Sequence, residues 1–214
     1  MATLDLSLIP LYRLKNQELA ILPGLLAMTP PRKPARGREG DRLIVYLVLT
    51  GKASLSTAEY LQLTSQTANQ FFQTTGSLTS AMRAAADTLN RLLLNRNLST
   101  TERGQYAAGW LVLAALRGAQ CTLLQSGPTH VYLIASEDRR PLHEPALSGK
   151  GLGLSQSVSF YLNQIELKPG DRMVFSGRPP ETWDQTLSED LGRISLDSLQ
   201  KNSALSLRSL RVYP

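Results

Sequence analysis

The sequence predicts an α+β fold in which two packed antiparallel β-sheets are flanked by helices. Three observations lead there. Strand-like and helix-like segments come in blocks (strands, two helices, then a run of strands), not in the βαβα alternation that builds a parallel sheet. Residues 43–49 and several stretches within 109–134 are apolar almost throughout, and a strand apolar on both faces needs a layer on each side. Residues 78–95 carry apolar side chains at steps of three and four, the pattern of a helix that covers a sheet. The 214 residues suit one domain with a sizeable core, and 42% apolar with 19% charged residues describes a globular chain.

The elements follow in order. Residues 3–28 mix short apolar segments with turn residues, including Pro10, Pro23 and Gly24, and predict two short strands near 4–9 and 18–22. A basic, proline-rich loop occupies 29–40. Residues 41–51, DRLIVYLVLTG, predict a strand buried on both faces. Ser56 and Glu59 have the spacing of a capping box, in which the serine hydroxyl meets an orphan N–H and the glutamate reaches back. The helix it opens places Leu61, Ala68, Phe71 and Phe72 near one face. The second helix, about 78–95, aligns Leu78, Met82, Ala85, Ala86, Leu89 and Leu93, with Arg83, Asp87 and Asn90 off the stripe. The short junction at Thr74, Thr75 and Gly76 predicts antiparallel helices.

Residues 110–116 and 121–125 then form a hairpin whose turn holds Gly118 and Ala119, glycine suiting the first central position of a type II′ turn. A strand at 130–134 follows Gly127 and Pro128. Residues 137–157 read as irregular, a strand follows around 158–167, and Pro169 with Gly170 makes a type II turn into a strand at 172–176. The segment 181–214 has weak periodicity. The folded domain is expected to span 1–190, with 191–214 weakly structured or truncated. There is no internal repeat.

The formal charge of +6 raises nucleic acid as a partner. The one dense basic stretch holds Arg32, Lys33, Arg36 and Arg38, yet it also has three prolines, two glycines and no aromatic residue for base stacking, so a solvated surface loop is the better reading. No apolar run approaches the ~18 residues of a membrane helix. The first ten residues lack a basic leader and Asp5 interrupts their apolar run, so a secretory signal is not expected. The single cysteine, Cys121, rules out an internal disulfide and a thiolate zinc cluster, and a cytoplasmic location is the plain reading.

Few residues offer chemistry. The run Ser148, Gly149, Lys150, Gly151, Leu152, Gly153 invites a phosphate-loop reading, but Glu144 and Gly151 stand where the Walker pattern needs glycine and a hydroxyl residue. A flexible loop over a cleft is the better reading, in which Lys150 still meets an anion. His130 begins a strand, where a structural hydrogen bond is expected. His143 reads as a surface turn residue, and Cys121 as an inert core thiol. Asp41 and Asp171 both start strands, where they are expected to satisfy turn N–H groups.

Several local patterns recur in the order found in one family. Tyr46, Leu47, Val48, Leu49, Thr50, Gly51 form an apolar strand closed by a glycine. Gly127, Pro128, Thr129, His130, Val131, Tyr132, Leu133 form a turn and a strand. Leu167, Lys168, Pro169, Gly170, Asp171 lead into an apolar strand that ends at Ser176. Over roughly 10–185 the chain resembles the PPM-type (type 2C) metal-dependent protein phosphatases. That resemblance implies a four-layer αββα sandwich, here without its last helix–strand unit, and two divalent metals held by aspartates at the strand ends. Thr50, Pro128 and Gly177 occupy those positions here, while Arg178 replaces the glycine after the last of them. The family's N-terminal arginine and acidic pair have an echo in Arg13 and in Gln17 and Glu18.

A hard dication needs oxygen ligands, mostly carboxylates, and proline and glycine offer no side-chain oxygen. The resemblance therefore implies a degenerate, non-catalytic member: a binding or regulatory module whose residual cleft takes a protein or phosphopeptide, with Arg13, Lys150 and Arg178 as anion contacts and no metal or other cofactor. The alternative is an active phosphatase using Mg²⁺ or Mn²⁺ on unusual ligands drawn from Glu18, Asp41 and Asp171.

Overall fold

A computed structural model describes residues 4–10, 12–14, 17–19, 21–100, 104–135 and 138–179, with 13–14 and 17–19 described by their backbone. Among the described residues ten strands and three helices follow one another: β1 (Tyr12–Leu14), β2 (Gln17–Leu19), β3 (Leu25–Met28), β4 (Asp41–Gly51), α1 (Thr57–Gln73), α2 (Leu78–Ser99), β5 (Ala107–Arg117), β6 (Gln120–Ser126), β7 (His130–Ile134), β8 (Arg139–Pro141), α3 (Pro145–Ser148), β9 (Tyr161–Glu166) and β10 (Arg172–Ser176).

The doubly apolar segments become the centre of the molecule. β4 and β5 pair antiparallel along their whole length, from Asp41 opposite Arg117 to Gly51 opposite Ala107. They lie at the middle of a five-stranded sheet ordered β3-β4-β5-β6-β9, and a three-stranded sheet ordered β10-β7-β8 stacks on one face of it. The period of two sorts the side chains. Leu43, Val45, Leu47, Leu111 and Leu113 face α1 and α2, whereas Ile44, Tyr46, Val112 and Ala114 face Val131 and Leu133 of the second sheet. Each fully buried leucine contributes roughly 1.5–3 kcal/mol, against about 0–1 kcal/mol for an exposed ion pair, so this double core rather than surface charge holds the fold. Among the described residues, helices α1 and α2 cover one sheet and no long helix covers the other. The segment 191–214, expected from the sequence to be weakly structured or truncated, and the boundary at 190 lie outside the described residues.

The helices start as their sequences dictate. Ser56 Oγ accepts from Glu59 N at 3.3 Å, and Glu59 accepts from Ser56 N at 2.7 Å, closing the capping box. Ala68, Phe71, Phe72, Met82, Leu89 and Leu93 are fully buried, and the junction at 74–77 folds α2 back against α1. Two assignments of face are corrected. Leu61 is 57% exposed, because the buried face of α1 runs through Thr64, Thr67 and Ala68. Asn90 is buried, because its amide is spent on a loop: it donates to Ser155 O at 2.9 Å and accepts from Gly153 N at 2.6 Å.

Other segments depart from expectation. Residues 4–10 form no strand, and Leu6, Leu8 and Ile9 stay about 40% exposed with no partner strand to bury them. The second expected strand, 18–22, overlaps only β2. β3 was not foreseen. It pairs with Leu43–Tyr46 of β4 and is introduced by Gly24, at φ +86°, where a Cβ would fall 2.0 Å from Leu47 O. The irregular stretch 137–157 contains β8 and the single turn α3.

The basic loop keeps Arg32, Lys33 and Arg36 exposed but buries Arg38, which is 1% exposed. Arg38 donates to Asp41 Oδ2 at 2.8 Å, and Arg117 donates to both Asp41 oxygens at 2.7 and 3.0 Å. Asp41 thus serves two guanidiniums, not turn N–H groups. Asp171 does cap its turn, accepting from Lys168 N at 2.8 Å.

Candidate functional site

Four segments meet at one end of the sheet stack. β4 ends with Val48 and Thr50 on the face shared with Tyr46, toward the second sheet. β5 begins there with Ala108 and Trp110, opposite Thr50 and Val48. The β6–β7 turn brings Gly127 and Pro128, and the residues after β10 bring Gly177 and Arg178. The loop 149–153 packs over this end through Leu152, which pairs with Gly109.

Each position is set by local geometry. Thr50 Oγ1 lies 3.5 Å from Ala108 O. Pro128 sits at the middle of a three-residue turn closed by Thr129 N donating to Gly127 O at 2.7 Å, a turn that the fixed φ of proline suits. Gly177 is buried, and its N–H donates to Tyr46 Oη at 3.1 Å. Burial pushes the Tyr46 hydroxyl pKa up, and that hydrogen bond offsets the rise only in part.

Trp110 stands at the centre of these segments. A Cβ on Gly127, at φ +84°, would lie 2.7 Å from Trp110 Cδ1, and one on Gly151, at φ +104°, would lie 3.0 Å from the same atom. The Arg178 guanidinium lies 5.4 Å from the centre of the ring, within the range of a cation–π contact. Lys150 immediately precedes Gly151 in the chain. Lys150 and Arg178 are both exposed, and neither has a carboxylate partner among the described residues. Sequence reading missed Trp110, which looked like the first apolar residue of a strand. The glycines at 127 and 151 that make room for its ring were the available signal.

No family model matches the sequence, and no curated protein does either. Solved structures do match. A crystal structure of a bacterial serine phosphatase variant superposes with a TM-score of 0.63 at 13% identity, covering 85% of this chain and 90% of that one. Serine/threonine phosphatase Stp1 from Staphylococcus aureus gives 0.57 at 12%, covering 92% and 94%. The catalytic domain of the serine/threonine phosphatase PstP, in complex with two manganese ions, gives 0.56 at 15%, covering 86% and 91%. The fold is that of the PPM-type phosphatases.

On that PPM fold the remaining candidates can be placed. Asp41 and Thr50 stand at opposite ends of β4, nine residues and so about 30 Å apart, and the Asp41 carboxylate is held by Arg38 and Arg117. Asp171 precedes β10 at the end away from Gly177 and caps its own turn. Glu18 lies opposite Arg13 in the β1–β2 hairpin, and the side chains of both fall outside the described residues. The structure therefore does not bring Asp41 and Asp171 to the cleft. Among the described residues no group of three or more His, Cys, Asp or Glu side chains is placed to hold a metal. One hydroxyl, a proline and a glycine do not fit a pair of hard dications.

Other sequence candidates resolve structurally. The run 148–153 is no mobile cover, since Leu152 is fully buried and Ser148 Oγ donates to Gly127 O at 2.8 Å. His143 is half-buried, not a surface residue: its Nδ1 lies 3.0 Å from Val131 O, and its ring packs 4.6 Å from that of His130. Cys121 is fully buried, and burial pushes its thiol up to about 12.

Proposed function

We propose that this PPM-fold domain is a non-catalytic binding module whose cleft takes an anionic group, a phosphoserine or phosphothreonine of a protein partner, against Lys150 and Arg178. The observation that carries this is the charge at the strand ends: Thr50, Pro128 and Gly177 supply no carboxylate, while the exposed Arg178 lies over Trp110 and the exposed Lys150 precedes Gly151, which packs on the same ring. A guanidinium stacked on an aromatic face keeps its donors in a planar fork suited to a phosphate. Phosphoester hydrolysis on two metals needs them to activate water and to neutralise the phosphate. Loss of one preorganised donor alone costs ~10²–10³ in rate. Arg13 is a third proposed anion contact. A cytoplasmic, regulatory role accompanies this reading, and no helix among the described residues is long and apolar enough to cross a membrane.

Calorimetric titration with Mn²⁺ and Mg²⁺, paired with hydrolysis of a phosphoserine peptide, tests the proposal. The expected result is no stoichiometric micromolar metal binding and no turnover, with peptide binding that survives EDTA and falls on Arg178→Ala and Lys150→Ala. Two-site metal binding accompanied by hydrolysis would instead support the alternative, an active Mg²⁺- or Mn²⁺-dependent phosphatase with non-standard ligands.

A further inference from the structure

An apolar groove lies beside this cleft, between the end of α2 and the segments that flank β5. It has a volume of about 290 Å³ and is lined by Leu94, Leu98, Tyr106 and Leu154 over a floor of Asn97 and Gly153. Its rim is unusually open for such residues: Leu98 is 66% exposed, Tyr106 46% and Leu154 44%. The floor offers no unmet polar group there. Asn97 donates to Ala107 O at 2.8 Å and to Gly153 O at 2.7 Å, and it accepts from Ala107 N at 2.9 Å. A site whose hydrogen bonds are already satisfied favours an apolar guest.

One rigid loop joins the groove to the cations. Residues 149–155 run from the exposed Lys150, through Gly151 against Trp110, to Gly153 and Leu154 at the groove. Asn90 and Asn97 pin the far half of this loop, and Leu152 is fixed to Gly109 by hydrogen bonds of 3.0 and 2.7 Å. Lys150 and Leu154 are four residues apart, so the two sites lie within about 13 Å. That is the reach of three to four residues of extended peptide.

We propose that the groove is the second half of the partner site. It takes a Leu or Phe side chain three to four positions from the phosphorylated residue, and this inference rests on the anion-binding reading above. Continuity through the loop and the charge of the neighbouring rim select the occupant: an extended peptide with one anionic and one apolar anchor. The arrangement makes the cations insufficient alone, because an exposed phosphate contact is screened by salt, whereas burial of an aromatic side chain is not.

The probes are two labelled peptides, phosphoserine-Ala-Ala-Phe and its reverse order, each paired with a Phe-to-Ala version and measured by fluorescence anisotropy. Inorganic phosphate competition reports the cations separately. In one order, loss of Phe is expected to weaken binding about tenfold or more. Leu98→Asp and, independently, Leu154→Asp should weaken the Phe peptide by a similar factor and leave the Ala peptide little changed, the non-additivity expected of a direct contact. Circular dichroism melts verify that each variant is folded. Equal binding of Phe and Ala peptides in both orders would overturn the groove while leaving the anion site standing. Failure of phosphate and every peptide to bind would overturn the anion-binding reading and this inference with it.

Discussion

Removing the Asp41 carboxylate tests whether that residue belongs to folding or to chemistry. Its side chain is fully buried between Arg38, 1% exposed, and Arg117, 51% exposed. Arg117 returns to water easily when Asp41 is truncated to alanine. Arg38 does not: it is enclosed beside Phe71, with its guanidinium 5.5 Å from the ring, and keeps only its bond to Gly76 O. Breaking a buried pair while one charge stays behind costs about 3–5 kcal/mol. For a domain of this size each kcal/mol shifts Tm by roughly 2–4 °C, so Asp41→Ala should melt about 6–20 °C lower. The double variant Asp41→Ala with Arg38→Met should recover much of the loss, because no orphaned charge remains. Urea unfolding followed by circular dichroism, with all four corners of the cycle, gives the coupling. A loss under about 1 kcal/mol for Asp41→Ala, or no recovery in the double variant, would refute the picture of a desolvated clamp.

Two further outcomes follow from the geometry. Gly127→Ala puts a methyl 2.7 Å from Trp110 Cδ1 at a backbone φ of +84°. It should destabilise the domain by about 1–3 kcal/mol and shift Trp110 emission in a Trp183→Phe background; unchanged emission would show that the ring is not held there. Cys121 should resist thiol reagents at pH 8 until the domain unfolds. Its folded pKa is raised from 9.0 to about 12, so the unfolded thiol ionises first, and stability present below pH 9 is lost as pH climbs toward 12. Stoichiometric labelling of the native protein would contradict this.

What the sequence could reveal follows the range of the interactions involved. β4, β5 and β6 were legible because their burial on both faces is written into adjacent residues, and the capping box at Ser56 because it spans four positions. Asn90 was misread since its polarity fits a solvent face, and its partners in the 153–155 loop are more than sixty residues away. Arg38 looked like one more loop cation because nothing nearby in sequence announces Gly76 or Phe71. The site was legible only through the departures at Thr50, Pro128 and Gly177 from the pattern the sequence resembles. Its positive content, Trp110 framed by Gly127, Gly151 and Arg178, depends on tertiary proximity, of which the two glycines are the only local trace. The β3 strand was missed because four residues after a turn carry too little periodicity.

The packing around Gly177 ties what residue 177 can carry to the size of residue 48. A Cβ there would meet the Val48 methyls at 3.0 and 3.3 Å, so a side chain at 177 needs Val48 to give by a few tenths of an ångström. A smaller residue at 48 would remove that demand, so a carboxylate is most easily introduced at this strand end by changing Val48 and Gly177 together.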